Sequence, residues 1–257
     1  MSYQSEWLEL QGAKIRVLHG GSGEPLLYLH GASGGGNWLP FFEHLSQHFT
    51  VYAPEHPGFG LSDDPEWLEE MSDLALFYKD FIDHYGWDKV HLVGHSMGGW
   101  LSAEFTTLFN ERVKSLTLID AAGIHVDGVE IGDNFMWHPD EQARKMFFNQ
   151  ELAQQRIDKA MSEEDIAIDV KNRTTVAKLV WTPRWYSLTL RKRLYRIQVP
   201  TLVVWGREDN LFPVQHAYAY QELIHGAQLQ VVPECGHSPQ VEKPDEVVAA
   251  ISQFALQ

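Results

Sequence analysis

The chain has 257 residues, 44% of them apolar and 21% charged, which suits a globular α/β domain and is too apolar for a disordered chain. Twenty Lys and Arg against 35 Asp and Glu give a formal charge of −15, which would repel phosphate backbones and anionic lipid surfaces and so excludes nucleic acid as a partner. No run approaches the ~18 apolar residues of a membrane span, and no basic leader opens residues 1–10, so the expectation is a cytoplasmic protein without membrane insertion.

In chain order, short β-branched and apolar runs predict strands at residues 7–10, 14–18, 26–30, 50–53, 90–93, 115–119, 201–205 and 228–232. The first two are separated by Gln11-Gly12-Ala13 and are expected to pair as a hairpin. Helical patterns span 38–48, 67–85, 97–109, 214–224 and 244–254, the last with Pro244 in its first turn, where the missing N–H costs nothing. This alternation predicts an α/β fold with an eight-stranded, mostly parallel sheet and helices on both faces.

Between residues 123 and 196 the alternation stops. The segment has no convincing strand and reads as an inserted helical cap, leaving 1–122 and 197–257 as the core. Its aromatic and Met content, from Phe135-Met136-Trp137 through Phe147-Phe148 to Trp181, Trp185 and Tyr186, exceeds what a small helical insert needs for its own packing. Part of this surface is expected to face a site below, and Trp38, Trp137, Trp181 and Trp185 are the candidate pocket residues.

The stretch Gly94-His95-Ser96-Met97-Gly98 lies between the strand at 90–93 and the helix at 97–109. A serine held on such a strand-to-helix turn needs small neighbours, because the backbones approach closely while the hydroxyl points out. Serine is a poor nucleophile unless a base, itself oriented by an acid, takes its proton. In enzymes with this turn the chain order is Ser, acid, His. Here Asp209 follows the strand at 201–205 and His237 follows the strand at 228–232, both at carboxyl ends of strands, where parallel sheets bind ligands. Asp120 and Glu208 compete with Asp209 as the acid, and His95 competes with His237 as the base.

These stretches resemble the α/β-hydrolase family, together with His30-Gly31, Pro57-Gly58-Phe59-Gly60-Leu61-Ser62-Asp63, Ile119-Asp120, the run 200–206 and Gly236-His237. The resemblance covers essentially the whole chain. It implies a catalytic Ser96–His237–Asp209 triad and an oxyanion hole made by the backbone N–H groups of Met97 and Ala32, with Ser33 as the alternative to Ala32.

The predicted chemistry requires no metal or organic cofactor. There is no GxGxxG, no Lys-Ser/Thr after the glycines at 34–36, and no HExxH among the thirteen histidines. Cys235, the one cysteine, excludes an internal disulfide and reads as a small buried residue. The expected function is a serine hydrolase, carboxylesterase-like, that cleaves a small, largely apolar ester through an acyl-enzyme. A C–C bond hydrolase acting on a ring meta-cleavage product is the alternative, as related family members use the same triad. Those relatives commonly carry a longer glycine-proline loop after the third strand and a Trp directly after the catalytic histidine, where this chain has Ala32-Ser33 and Ser238-Pro239. A ligand receptor on the same scaffold is a third possibility, whereas dehalogenases and epoxide hydrolases of this fold need Asp at position 96.

Overall fold

The computed structural model describes residues 3–256. Among these, β1 (Gln4–Leu10), β2 (Ala13–Gly21), β3 (Pro25–Leu29), β4 (Thr50–Pro54), β5 (Val90–His95), β6 (Val113–Ile119), β7 (Thr201–Gly206) and β8 (Gln228–Val232) form one sheet in the order β1-β2-β4-β3-β5-β6-β7-β8. The β1–β2 and β2–β4 pairs are antiparallel and all others parallel. Leu10 pairs with Ala13 across a two-residue turn in which Gln11 and Gly12 both have positive φ, the twist that a tight hairpin requires.

Strand side chains alternate between two cores. Leu27, Leu29, Leu92, Val203 and Trp205 face one, while Leu26, Tyr28, Val93, Leu202 and Val204 face the other. The first core is closed by α2 (Met71–His84), α3 (Met97–Leu108) and α7 (Gln215–Leu223), the second by α1 (Pro40–Leu45) and α9 (Pro244–Ala255). Two helices begin two or more residues later than expected. Pro40 at the first position starts α1 two residues after Trp38, and the Asp73 carboxylate accepts the amides of Glu69 and Glu70, which sets the start of α2 at Met71 rather than Trp67.

Residues 123–196 hold α4 (Pro139–Met146), α5 (Gln150–Asp158) and α6 (Glu163–Val180). The segment is anchored on the loop after β4. Lys171 donates to the carbonyls of Gly60 and Ser62, Thr175 to that of Gly58, and Asn172 accepts from the Gly60 amide. Residues 1, 2 and 257 of the expected core lie outside the described residues. No helix among the described residues is long and apolar enough to cross a membrane.

Candidate active site

Ser96 is the residue before the first turn of α3, with φ 56° and ψ −117°. A β-carbon-bearing residue in that region is strained by roughly 1–3 kcal/mol and persists only where its surroundings fix it. Here the Ser96 amide donates to Ile119 O and its carbonyl accepts from Trp100 and Ala122. Close approach leaves room only for hydrogen at Gly98 and little more at Gly31. A β-carbon on Gly98 would sit 2.0 Å from Leu29 O, and one on Gly31 would sit 3.1 Å from Ser96 Cβ.

The Ser96 hydroxyl donates to His237 Nε2 at 2.9 Å, and His237 Nδ1 donates to Asp209 Oδ2 at 2.7 Å. The other Asp209 oxygen accepts the amides of Leu211 (2.7 Å) and Phe212 (3.0 Å), so the carboxylate is fixed by its own loop. All three residues are buried. The rivals are engaged elsewhere. Glu208 accepts from the Cys235 amide, and His95 Nε2 donates to the His237 carbonyl, so both brace the histidine loop. Asp120, fully buried, accepts from the Gly206 amide and hydrogen-bonds Asp209. Burial and the Asp209 charge push the Asp120 carboxyl well above the usual carboxylate range, so it is the protonated member of the pair. Burial would raise Asp209 as well, but His237 and the hydrogen bonds it receives bring it below its ordinary value. Asp120, Asp209 and His237 each place a ligand-type atom within 4.8 Å of the others, but the hydrogen bond from His237 Nδ1 to Asp209 already occupies that cluster.

Met97 is the first residue of α3, so its N–H has no acceptor inside the helix. Ala32 lies opposite, on the loop after β3, and lines the same cavity as Ser96. Two histidines fix this loop. His30 Nδ1 donates to Gly31 O and its Nε2 accepts the His56 amide, while His56 Nε2 donates back to His30 O and its Nδ1 accepts from Tyr78. Burial pushes His30 down to about 4 and His56 well below its ordinary value, so both are neutral and every ring nitrogen is used.

The cavity has a volume of about 350 Å³ and is lined at one level by Ser96, His237 and the 30–36 loop and above by the inserted helices. Of the four expected pocket tryptophans, only Trp185 lines it, buried and with its indole N–H on Asn134. Trp38 does not, because its ring stacks on Tyr3 and its N–H donates to Glu43. Trp137 packs against Gly132 with the Lys145 ammonium 4.6 Å above its ring. Trp181 is half exposed beneath the Arg184 guanidinium, 4.2 Å away. In their place the wall carries Phe135 and Phe147, together with the polar groups Asn37, Gln142, Arg156, Arg173 and Gln240. Cys235 is buried, and burial pushes its thiol far up.

The arginines had one sequence signal: Asp169 and Arg173 stand four apart and form an ion pair at 2.7 Å on α6. Nothing local said that this side of the helix meets the cavity. His56 precedes the Pro57-Gly58 turn and had no signal beyond being a histidine in a loop.

Comparison with known proteins places the chain in a family. Residues 26–250 match the model of the alpha/beta hydrolase family. The chain is 31% identical to the 2-hydroxy-6-oxo-6-(2'-aminophenyl)hexa-2,4-dienoic acid hydrolase of Metapseudomonas resinovorans, over 98% of this chain and 91% of that one. It is 29% identical to the 2-hydroxy-6-oxo-6-phenylhexa-2,4-dienoate hydrolase of Burkholderia cepacia, covering 92% and 89%. Among solved structures, a meta-cleavage product hydrolase from Pseudomonas fluorescens superposes with a TM-score of 0.77 at 25% identity, covering 97% and 96%. Matched by the family model over most of its length and by a relative at 31% identity, the chain belongs to the α/β-hydrolase family.

Proposed function

We propose that this hydrolase uses Ser96 to cleave the carbon–carbon bond of a small vinylogous keto acid, the 2-hydroxy-6-oxohexa-2,4-dienoate class named for its sequence relatives. The observation that carries this reading is that the Ser96–His237 pair shares one cavity with two arginines, Arg156 and Arg173, in a chain of net charge −15. Among the described residues Arg156 forms no ion pair within 4.0 Å; Asp169 on the same wall attracts it but is paired with Arg173, so the Arg156 guanidinium can meet a substrate carboxylate. The 123–196 segment serves as a cap over that cavity. In this reading the substrate first shifts its enol proton to carbon. Ser96 Oγ then adds to the ketone carbon as its proton passes to His237 Nε2, with Asp209 stabilising the imidazolium. The amides of Met97 and Ala32 donate to the oxyanion. The oxyanion collapses and the carbon–carbon bond breaks, its electron pair leaving onto a carbon conjugated to the 2-oxo group, which takes the proton held by His237 and returns the imidazole to its neutral form. Water activated by His237 then frees the acyl group.

Ester cleavage through the same acyl-enzyme is the second reading. It is favoured by Ser238, a small residue on the cavity wall directly after His237, where C–C-cleaving relatives commonly carry a tryptophan. One experiment separates them: loss of absorbance from a 2-hydroxy-6-oxodienoate against release of nitrophenol from short p-nitrophenyl esters. Fast turnover of the dienoate, slowed at least about 10³-fold by Ser96→Ala, is the expected result. Turnover of esters alone sinks the first reading. No turnover of either, with Ser96 unlabelled by a covalent serine probe, leaves a ligand receptor.

A further inference from the structure

Gln240 is buried on α8 (Pro239–Glu242), three residues after His237, with only 4% of its surface exposed, and it lines the cavity. The Tyr28 hydroxyl, equally buried, lines the same cavity from β3. The side-chain oxygen, Gln240 Oε1, has no hydrogen-bond partner among the described residues. Buried acceptors are almost always paired, so one left open on the wall of a substrate cavity points to a donor that arrives with the ligand. Its surroundings narrow the chemistry. Leu39, Phe42 and Val241 line the cavity with Tyr28, and Tyr28 and Phe42 meet edge to face with centroids 4.8 Å apart. This is a wall for a flat apolar group, with the Gln240 oxygen on it as an unpaired acceptor.

We propose that Gln240 is a specificity-determining residue, whose side-chain carbonyl accepts a hydrogen bond from an amino or hydroxyl group on an aromatic end of the substrate. The assignment rests on the reading of this cavity as a hydrolase substrate site, but not on which bond is cleaved. A site with a fixed polar partner rejects an analogue that lacks the matching group far more strongly than an apolar pocket rejects a missing methylene. The amide also sets the sign of the preference. With its side-chain oxygen unpaired on the cavity wall, a ring donor is favoured and a ring acceptor is not.

The test is calorimetric titration of Ser96→Ala protein with uncharged aryl ketones: acetophenone and its ortho, meta and para amino, hydroxy and methoxy derivatives. At least one amino or hydroxy compound is expected to bind tenfold or more tightly than acetophenone, with its methoxy counterpart no better than the parent. Adding Gln240→Met should erase that difference while leaving acetophenone affinity within about twofold. Gln240→Glu, which keeps an acceptor in place, should retain it, and this variant and the ligand series decide the matter if Gln240→Met does not fold. Equal binding of all derivatives, a preference for methoxy, or no binding of any overturns the proposal. A donor preference here, combined with no turnover by the Ser96 protein of dienoates or esters, would instead overturn the hydrolase reading alone.

Discussion

At the scale of single residues, the informative pair is Asp120 and Asp209. Both are buried acids at carboxyl ends of neighbouring strands, and both lie close to His237. Only Asp209 accepts the hydrogen bond from His237 Nδ1, and only Asp209 has its second oxygen held by two amides. Asp120 keeps its own proton, so its contribution is a neutral hydrogen bond to the Asp209 carboxylate. Asp209→Asn is therefore expected to lower kcat by about 10³–10⁴-fold, because the amide cannot stabilise the imidazolium. Asp120→Asn retains a neutral donor and should cost about tenfold or less. Steady-state kinetics on the substrate turned over in the absorbance assay checks both. A larger loss at Asp120 than at Asp209 would assign the acid role to Asp120.

At the scale of elements, the site depends on how closely α3 approaches the end of β3. Gly98 lies in the first turn of α3, and a β-carbon there would meet Leu29 O at 2.0 Å and His30 O at 2.6 Å, both backbone atoms of a central strand and its loop. Neither can move without shifting the 30–36 loop. Gly98→Ala should destabilise the fold by about 3 kcal/mol, lowering Tm by roughly 6–12 °C for a chain of this size. A thermal melt within 2 °C of the parent would contradict this packing. The histidine loop is tied in another way. Glu242 on α8 accepts the amides of Gly236 (2.7 Å) and Asn149 (2.8 Å), while the His237 amide donates to Met146 O. The same few bonds that position His237 thus join it to the α4–α5 connection of the inserted segment.

At the scale of the whole molecule, stability should fall in mild acid. Unfolded histidines bind a proton near pH 6.5, whereas burial holds folded His30 neutral down to about 4. Between these values the unfolded chain carries more protons, so stability is complete above about 6.5 and is lost as pH falls towards 4. At pH 5 the loss from His30 alone is roughly 2 kcal/mol. His56 acts in the same direction, since burial also lowers its affinity for a proton well below the ordinary value. Urea midpoints measured at pH 7.5 and pH 5 check the sign. An unchanged midpoint would mean that these rings are protonated within the fold.

The Gln11-Gly12 hairpin, the period-two strands and the Ser96 turn were legible in the sequence because each is fixed by neighbours a few residues apart. So was the placing of Asp209 and His237, since residues just after parallel strands share one edge of the sheet. What the sequence left open was which side chains, in the inserted segment and around it, turn into the cavity. Trp38, Trp137 and Trp181 carry the same aromatic signal as Trp185, yet only Trp185 reaches the cavity, beside Arg156, Arg173 and the open acceptor of Gln240. That choice is made by long-range contacts such as those of Lys171, Asn172 and Thr175 with residues 58–62. Amphipathic spacing says that a helix has an inner face; only the packing of that face against distant backbone decides which residues the substrate meets.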